Sequence, residues 1–379
     1  MMETVGIVDL GSNSVRLSVT RIQEDGGYRV IAEVKAVVRL SAEIGPDGAI
    51  GAAGLEHTLA VLRDFQRVGK AYGVGRYIAV ATAAARQAKN GAEFIAAVTK
   101  ETGIALQIIP GAEEGELGLT GALNTIAETD GLLIDIGGGS TELVRFSGRR
   151  LTAVVSLPYG AVNLTASFLP GGNGGKDAVE RLERFLADVL MTVPWLPGAR
   201  GLPLIGVGGS IRNVGRIDQK AVDYPLPLLH NYRLAPERVA KVYKELRSLS
   251  VKERRKVPGL SDDRAEIILP AVAMMQQVLL RSGAGEMVIS GTGLREGLLY
   301  RHLLQDRESP VLDHVLSHSI ANMVHIHGLD ERLSREMSRV ALALYDGLQP
   351  LHKLPDWGRR VLWAAAALAQ AGSTVNVFG

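Results

Sequence analysis

The chain has 379 residues, 46% of them apolar and 22% charged, with a formal net charge of +2. That length suits two or three globular domains, and so small an excess of positive charge excludes general nucleic-acid binding, leaving any polyanion to be held by a local basic patch. With no cysteine, no apolar run near the roughly 20 residues that cross a bilayer and a first strand too close to Met1 for a secretory leader, the chain is expected to be a cytoplasmic protein without disulfides, thiolate metal sites or a membrane partner.

In chain order, the alternation of apolar residues predicts strands over 5–10, 15–22 and 28–40. A helix is predicted over 51–72, where Leu55, Leu59, Leu62 and Phe65 share one face. A strand over 76–82, a helix over 92–102 and a strand over 104–109 follow, the last ended by Pro110 and Gly111. The same order then restarts, with strands over 132–136, 142–146 and 151–157 and a helix over 176–193. A strand over 204–208 runs into Gly208, Gly209 and Ser210, helices are expected over 233–248 and 264–280, and a strand over 287–290 precedes a helix over 294–304. From about Pro310 the pattern is only helical until the last few residues. Strands alternating with helices in two successive runs predict an α/β fold.

The motif that organises the chain is a repeat. Asp9, Leu10, Gly11, Ser12, Asn13 and Ser14 return as Asp135, Ile136, Gly137, Gly138, Gly139 and Ser140. Each copy follows a buried apolar strand and reads as an acid at the strand end, a small-residue turn and a returning strand. Such turns aim backbone N–H groups into one concavity, where glycine lets a ligand approach the backbone closely. Two facing turns, each with a carboxylate, are expected to hold phosphate oxygens and a divalent metal such as Mg²⁺. A lone Asp at this position equally caps its own turn; the matched pair favours the metal reading. Arg16 aligns with Glu142 in the duplicated frame. Glu142 is read either as a group at or near the metal or as a solvent-facing strand residue, and Arg16 stays open between binding and surface roles. Glu114, just past Pro110 and Gly111, suits a base that deprotonates water, whereas first-turn acid enrichment favoured by the helix dipole suits Glu113, Glu114 and Glu116 alike. Arg86 carries a planar fork matched to phosphate. Gly208, Gly209 and Ser210 form either a nucleoside-contacting loop or a plain strand-to-helix turn. Arg295 and Glu296 read as a structural ion pair, the basic run Lys252 to Lys256 as a solvated face, and His314 with His318 as helix-surface residues.

Taken together, these residues resemble the exopolyphosphatase/guanosine pentaphosphate phosphohydrolase family of the actin-like, sugar-kinase and heat-shock-ATPase superfamily. The stretches that carry the resemblance are the two loops, Ala85-Arg86-Gln87-Ala88, Gly111-Ala112-Glu113-Glu114, Gly208-Gly209-Ser210, Pro258-Gly259-Leu260-Ser261-Asp262-Asp263-Arg264-Ala265 and Leu294-Arg295-Glu296-Gly297. The loops alone fit the whole superfamily; the Arg86 and Gly111 to Glu114 elements narrow it. The resemblance implies two actin-like (ribonuclease H-like) α/β domains with a cleft between them, over 1–124 and 125–305. It also implies a helical segment over 306–379, similar to an incomplete histidine–aspartate extension in which Ala369 and Gln370 stand where His and Asp are expected. It places the catalytic base on Glu114 and the chain end of the substrate near Arg86. Asp9, Asp135 and Glu142 would serve the metal, and Gly11 to Ser14, Gly137 to Ser140 and Gly208 to Ser210 the substrate. The implied reaction is release of terminal phosphate from inorganic polyphosphate, or from guanosine pentaphosphate, by a homodimer. An ATP-dependent kinase and a non-catalytic alarmone-binding regulator are the readings from other classes.

Overall fold

The computed structural model describes residues 2–374. It opens with an antiparallel meander, β1 (Glu3–Leu10), β2 (Ser14–Ile22) and β3 (Tyr28–Val37), followed by α1 (Ala52–Ala71), β4 (Arg76–Ala81), α2 (Ala83–Gln87), α3 (Gly91–Thr102) and β5 (Leu106–Ile108). The strands form one sheet in the order β3-β2-β1-β4-β5, with β1, β4 and β5 parallel. β1 is covered on both faces, so its residues Val5, Ile7, Val8 and Leu10 are all buried; a strand so placed reads as a continuous apolar run rather than an alternating one.

α4 (Gly111–Leu123) leads into the second half: β6 (Gly131–Ile136), β7 (Thr141–Ser147), β8 (Arg150–Leu157), α5 (Ala161–Phe168), α6 (Lys176–Met191), β9 (Pro203–Val207), α7 (Gly209–Ala221), β10 (Tyr232–Leu234), α8 (Pro236–Ser248), α9 (Val251–Arg254), α10 (Ile268–Ser282), β11 (Glu286–Ile289) and α11 (Leu294–Leu303). This sheet runs β10-β11-β9-β6-β7-β8. Without the edge strand β10, its order and strand directions repeat those of the first sheet. The register repeats too. Asp9 pairs with Arg16 on one side and Val80 on the other; Asp135 pairs with Glu142 and Val207. The sequence repeat is therefore a repeat of topology, and it sets Asp9 and Asp135 at equivalent strand ends.

α4 and α11 stitch the halves together. Leu117 of α4 and Leu298 of α11 pack with Val5 and Ile7 of the first sheet, whereas Leu119 and Leu123 of α4 pack with Leu133 and Val144 of the second. The two helices cross backbone to backbone. A Cβ on Gly121 would lie 2.0 Å from the Gly293 carbonyl oxygen, and one on Gly297 would lie 2.0 Å from that of Leu117.

Several expectations are corrected. The segment expected to begin a helix at Arg233 is strand β10, paired with β11; its helix starts only at Pro236, a residue tolerated in a first turn because that N–H needs no partner. The helix expected from Arg264 starts at Ile268. The Lys252–Lys256 run is not wholly a solvated face: Arg254 is buried and donates to the carbonyls of Leu246 and Gly172. Beyond α11 lie α12 (Val315–Ile326), α13 (Glu331–Gly347), α14 (Gln349–His352) and α15 (Asp356–Ala367). His318 is not a free surface residue. Its Nε2 lies 3.2 Å from the Tyr28 hydroxyl, which donates to the Tyr300 hydroxyl at 2.8 Å. Asn322 of the same helix accepts from the Tyr28 N–H and donates to its carbonyl, so α12 is anchored on β3. The strand-like run at 375–379 lies outside the described residues.

Candidate active site

The ends of β1 and β6 open into a cleft of about 120 Å³ between the two halves. Asp9, Gly11, Ser12, Asn13 and Ser14 line it from the first half, and Asp135, Gly137, Gly138, Gly139, Ser140, Gly208 and Gly209 from the second; Glu114 enters from α4.

The two loops are built alike. The Gly11 N–H donates to the Ser14 carbonyl at 3.1 Å, and the Gly137 N–H to the Ser140 carbonyl at 3.0 Å. In the first loop, the carbonyl of Ser12 accepts from the Ser41 N–H, and that of Asn13 from the N–H groups of Val38 and Arg39. In the second, the Gly138 carbonyl accepts from the N–H groups of Val162 and Asn163, and the Gly139 carbonyl from the side-chain amides of Gln87 and Asn163. A trans peptide points its C=O and the following N–H in opposite directions. Pulling these carbonyls outward therefore turns the N–H groups of Asn13, Ser14, Gly139 and Ser140 toward the cleft. The loops also touch: a Cβ on Gly139 would lie 2.8 Å from Ser12 Oγ. Ser12 Oγ, Asn13 Nδ2 and Ser210 Oγ are buried without a hydrogen-bond partner. An unmatched buried donor costs about 1–3 kcal/mol, and phosphate oxygens in the cleft would supply acceptors for Ser12 and Asn13. Ser210, the second residue of α7, lies behind the lining and does not reach the cleft.

Four carboxylates crowd this region. Burial pushes Asp9 up from its ordinary value, opposed by Arg16 and Arg295. Burial also raises Asp135 to about 6, with Arg212 opposing and the charge of Asp9 adding. Glu114 is pushed up to about 7, first by burial and against the pull of Arg86. Its Oε2 accepts from Arg86 Nη1 at 2.9 Å, and the same Nη1 donates to the Ile109 carbonyl at 3.0 Å. Glu142 is held well above its ordinary value by burial, then by Glu114 and Asp135. It is 1% exposed, accepts from Ser156 Oγ at 2.7 Å and has Arg86 Nη2 at 4.0 Å. Arg86 and Glu142 thus stand behind Glu114, while Asp9, Asp135 and Glu114 reach the cleft wall. Glu113 instead pairs with Arg301, and Glu116 is exposed.

Among the described residues, no three carboxylate, imidazole or thiolate groups converge into a metal cage. The donor set is two buried aspartates beside a row of phosphate-seeking donors. It fits a hard divalent cation that keeps phosphate oxygens and waters as its other ligands, as Mg²⁺ does, and does not fit an all-protein site.

The sequence singled out no basic cluster here, yet the structure builds one. A second chamber of about 610 Å³ shares Arg16, Gly209, Arg264, Arg295 and Glu296 with the cleft and adds Arg212. Its carboxylates are already engaged: Asp263 by Lys35 at 2.8 Å, Glu33 by Arg295 at 2.7 Å, and Glu296 by the Gly293 N–H at 2.7 Å. Arg16, Arg212 and Arg264 remain to face the cavity. Burial, and then the charges of Arg16 and Arg295, lower Arg212 to about 10. Burial also lowers Arg264. Cations that repel one another in a partly dry site make a strong anion-binding surface.

This arrangement has relatives. Residues 18–306 match the Ppx/GppA phosphatase family. The chain belongs to that family. An uncharacterized protein of Streptomyces coelicolor is 30% identical over 306 residues, spanning 78% of this chain and 89% of its own. The crystal structure of the Aquifex aeolicus Ppx/GppA family member is 28% identical with a TM-score of 0.69, covering 82% of this chain and 100% of that one. A Cytophaga hutchinsonii exopolyphosphatase structure, at 24% identity, has the same fold with a TM-score of 0.74 over 79% of this chain and 98% of its own. The Ppx/GppA match starts after the first loop, so the equivalence of Asp9 and Asp135 rests on the strand register. Helices α12 to α15 lie beyond it.

Proposed function

We propose that this Ppx/GppA member releases terminal orthophosphate from inorganic polyphosphate, with Glu114 as the general base. The observation that carries the reading is a carboxylate held by Arg86 at the wall of a cleft lined by both duplicated loops. In this reading, oxygens of the terminal phosphate accept from the N–H groups of Asn13, Ser14, Gly139 and Ser140. Glu114, poised near neutral pH, takes a proton from water as the water oxygen bonds to phosphorus. The bond from that phosphorus to the bridging oxygen breaks, and its electron pair leaves with the shortened chain. Arg86 fixes Glu114 through its 2.9 Å hydrogen bond. A divalent cation held by Asp9, Asp135 and substrate oxygens would neutralise charge on the phosphates. Positioning and electrostatics do most of the work in such phosphoryl transfers.

The adjoining chamber favours polyphosphate over guanosine pentaphosphate. Its lining carries Arg16, Lys35, Arg212, Arg216, Arg264 and Arg295 but no aromatic ring, and its aliphatic walls are only Val30 and Val34. Over Gly209 packs the Arg264 guanidinium, a surface that suits further phosphates better than a base. The test is phosphate release from long-chain polyphosphate and guanosine pentaphosphate, side by side, with Mg²⁺ and with chelator. Faster release from the nucleotide would overturn the substrate assignment; no release from either would overturn the enzymatic reading.

A further inference from the structure

One backbone group in the cleft is held by both halves of the molecule. The Gly139 carbonyl accepts from Asn163 Nδ2 at 3.0 Å, and Asn163 is itself fixed by the Pro158 carbonyl at 2.9 Å and the Gly160 N–H at 2.7 Å. The second donor is Gln87 Nε2, also at 3.0 Å, from the end of α2 in the first half, where Ala83 and Ser12 already abut Gly139. The Lys35–Asp263 ion pair spans the cleft as well, but it joins two side chains at the rim. The Gln87 bond ends on the peptide whose N–H, that of Ser140, is turned toward the phosphate.

α2 is a single short element with a fixed seat: Ala83, Ala84 and Ala85 are each 2% exposed or less. Its next two residues diverge. Arg86 holds the Glu114 carboxylate, and Gln87 holds the Gly139 carbonyl. One turn of helix in the first half thus orients both the water-activating group and the phosphate-binding peptide of the second half. If the halves part, the Gly139 carbonyl keeps only Asn163, and the Gly139–Ser140 peptide gains freedom to rotate its N–H away.

We propose that Gln87 is a positioning residue that couples closure of the cleft to assembly of the oxyanion-holding peptide. The inference rests on the reading of this cleft as a phosphoanhydride-hydrolysing site. Gln87→Ala removes the donor, and Gln87→Glu replaces it with a carboxylate oxygen that repels the carbonyl. Gln87→Ala is expected to lower kcat by about two- to tenfold, the span a single neutral hydrogen bond supports. Gln87→Glu should lower it further. KM and the melting temperature should stay near wild type, because Gln87 is exposed and anchors no core. A merely structural residue would move the melting temperature, and a substrate-binding residue would move KM. Wild-type kcat in both variants overturns the proposal, as does a loss confined to KM. If the wild-type protein hydrolyses no phosphoanhydride, the functional reading fails on its own, and amide hydrogen exchange of residues 137–141 decides the Gln87 claim. Saturating inorganic phosphate should protect this segment in the wild type and not in Gln87→Glu; equal protection in both refutes the coupling.

Discussion

Replacing Glu114 by Gln should move activity and stability in opposite directions. Gln keeps the shape and still accepts from Arg86, but it cannot take a proton. General-base catalysis contributes typically about 10²–10⁴-fold, so kcat should fall within that range, with KM little changed because the cradle N–H groups remain. The stability sign follows from the raised carboxyl. Its folded value, about 7, lies above the unfolded 4.5, so the folded state binds the proton more tightly. The associated stability is fully present below about pH 4.5 and is lost as pH rises through 7. That interval is worth about 3 kcal/mol at 1.36 kcal/mol per pH unit. That figure already includes the pull of Arg86, whose charge-assisted bond exists only when Glu114 is ionised. The metal-free mutant should therefore match wild type near pH 4.5 and exceed it by up to about 3 kcal/mol at pH 8. Chemical denaturation at a series of pH values reads this, and steady-state kinetics on the same samples read the catalytic loss. For the wild type, kcat/KM should climb with pH and level off above about 7. Wild-type turnover in Glu114→Gln refutes the assignment. A stability difference that stays constant from pH 4.5 to 8 refutes the electrostatic account of the raised carboxyl.

Asp135→Asn should abolish Mg²⁺-dependent phosphate release and also the rise in melting temperature that Mg²⁺ gives the wild type; an undiminished Mg²⁺ shift in the mutant would remove Asp135 from the metal site. Gly297→Ala forces a Cβ to within 2.0 Å of the Leu117 carbonyl oxygen, so thermal unfolding should show a loss of about 1–3 kcal/mol or more, the usual cost of overpacking. Affinity for long-chain polyphosphate should fall steeply with salt as bound cations are released from neutralised phosphates, less steeply for tripolyphosphate, and Arg212→Gln should flatten the long-chain slope; equal slopes for both substrates would mean that the arginine chamber is not used.

The duplicated strand–loop–strand was legible in the sequence because each piece is local. A strand buried on both faces is an uninterrupted apolar run, and a turn that approaches a ligand closely needs small residues. What the pattern left open was set by contacts between distant segments. The arginine cluster gathers Arg16 from β2, Arg212 from α7 and Arg264 from the turn before α10, residues with no shared spacing. The asymmetry of Arg16 and Glu142, cationic in one copy and anionic in the other, was the one trace of it. α2 and α5 are too short for helical periodicity to register, yet they supply Gln87 and Asn163. Arg86, expected near the substrate's end, also holds Glu114, a partner fixed only when α2 and α4 pack together. Likewise nothing around His318 in the sequence announced its seat against Tyr28, which depends on α12 folding back onto β3.

The central claim is that water attacks the terminal phosphorus of a polyphosphate chain, and hydrolysis in ¹⁸O-labelled water tests it most directly. With Mg²⁺ and long-chain polyphosphate, the account predicts one ¹⁸O atom in each released orthophosphate and none in the end of the remaining chain. Label in the chain end, or unlabelled phosphate appearing on an added acceptor such as a nucleoside diphosphate, would contradict it.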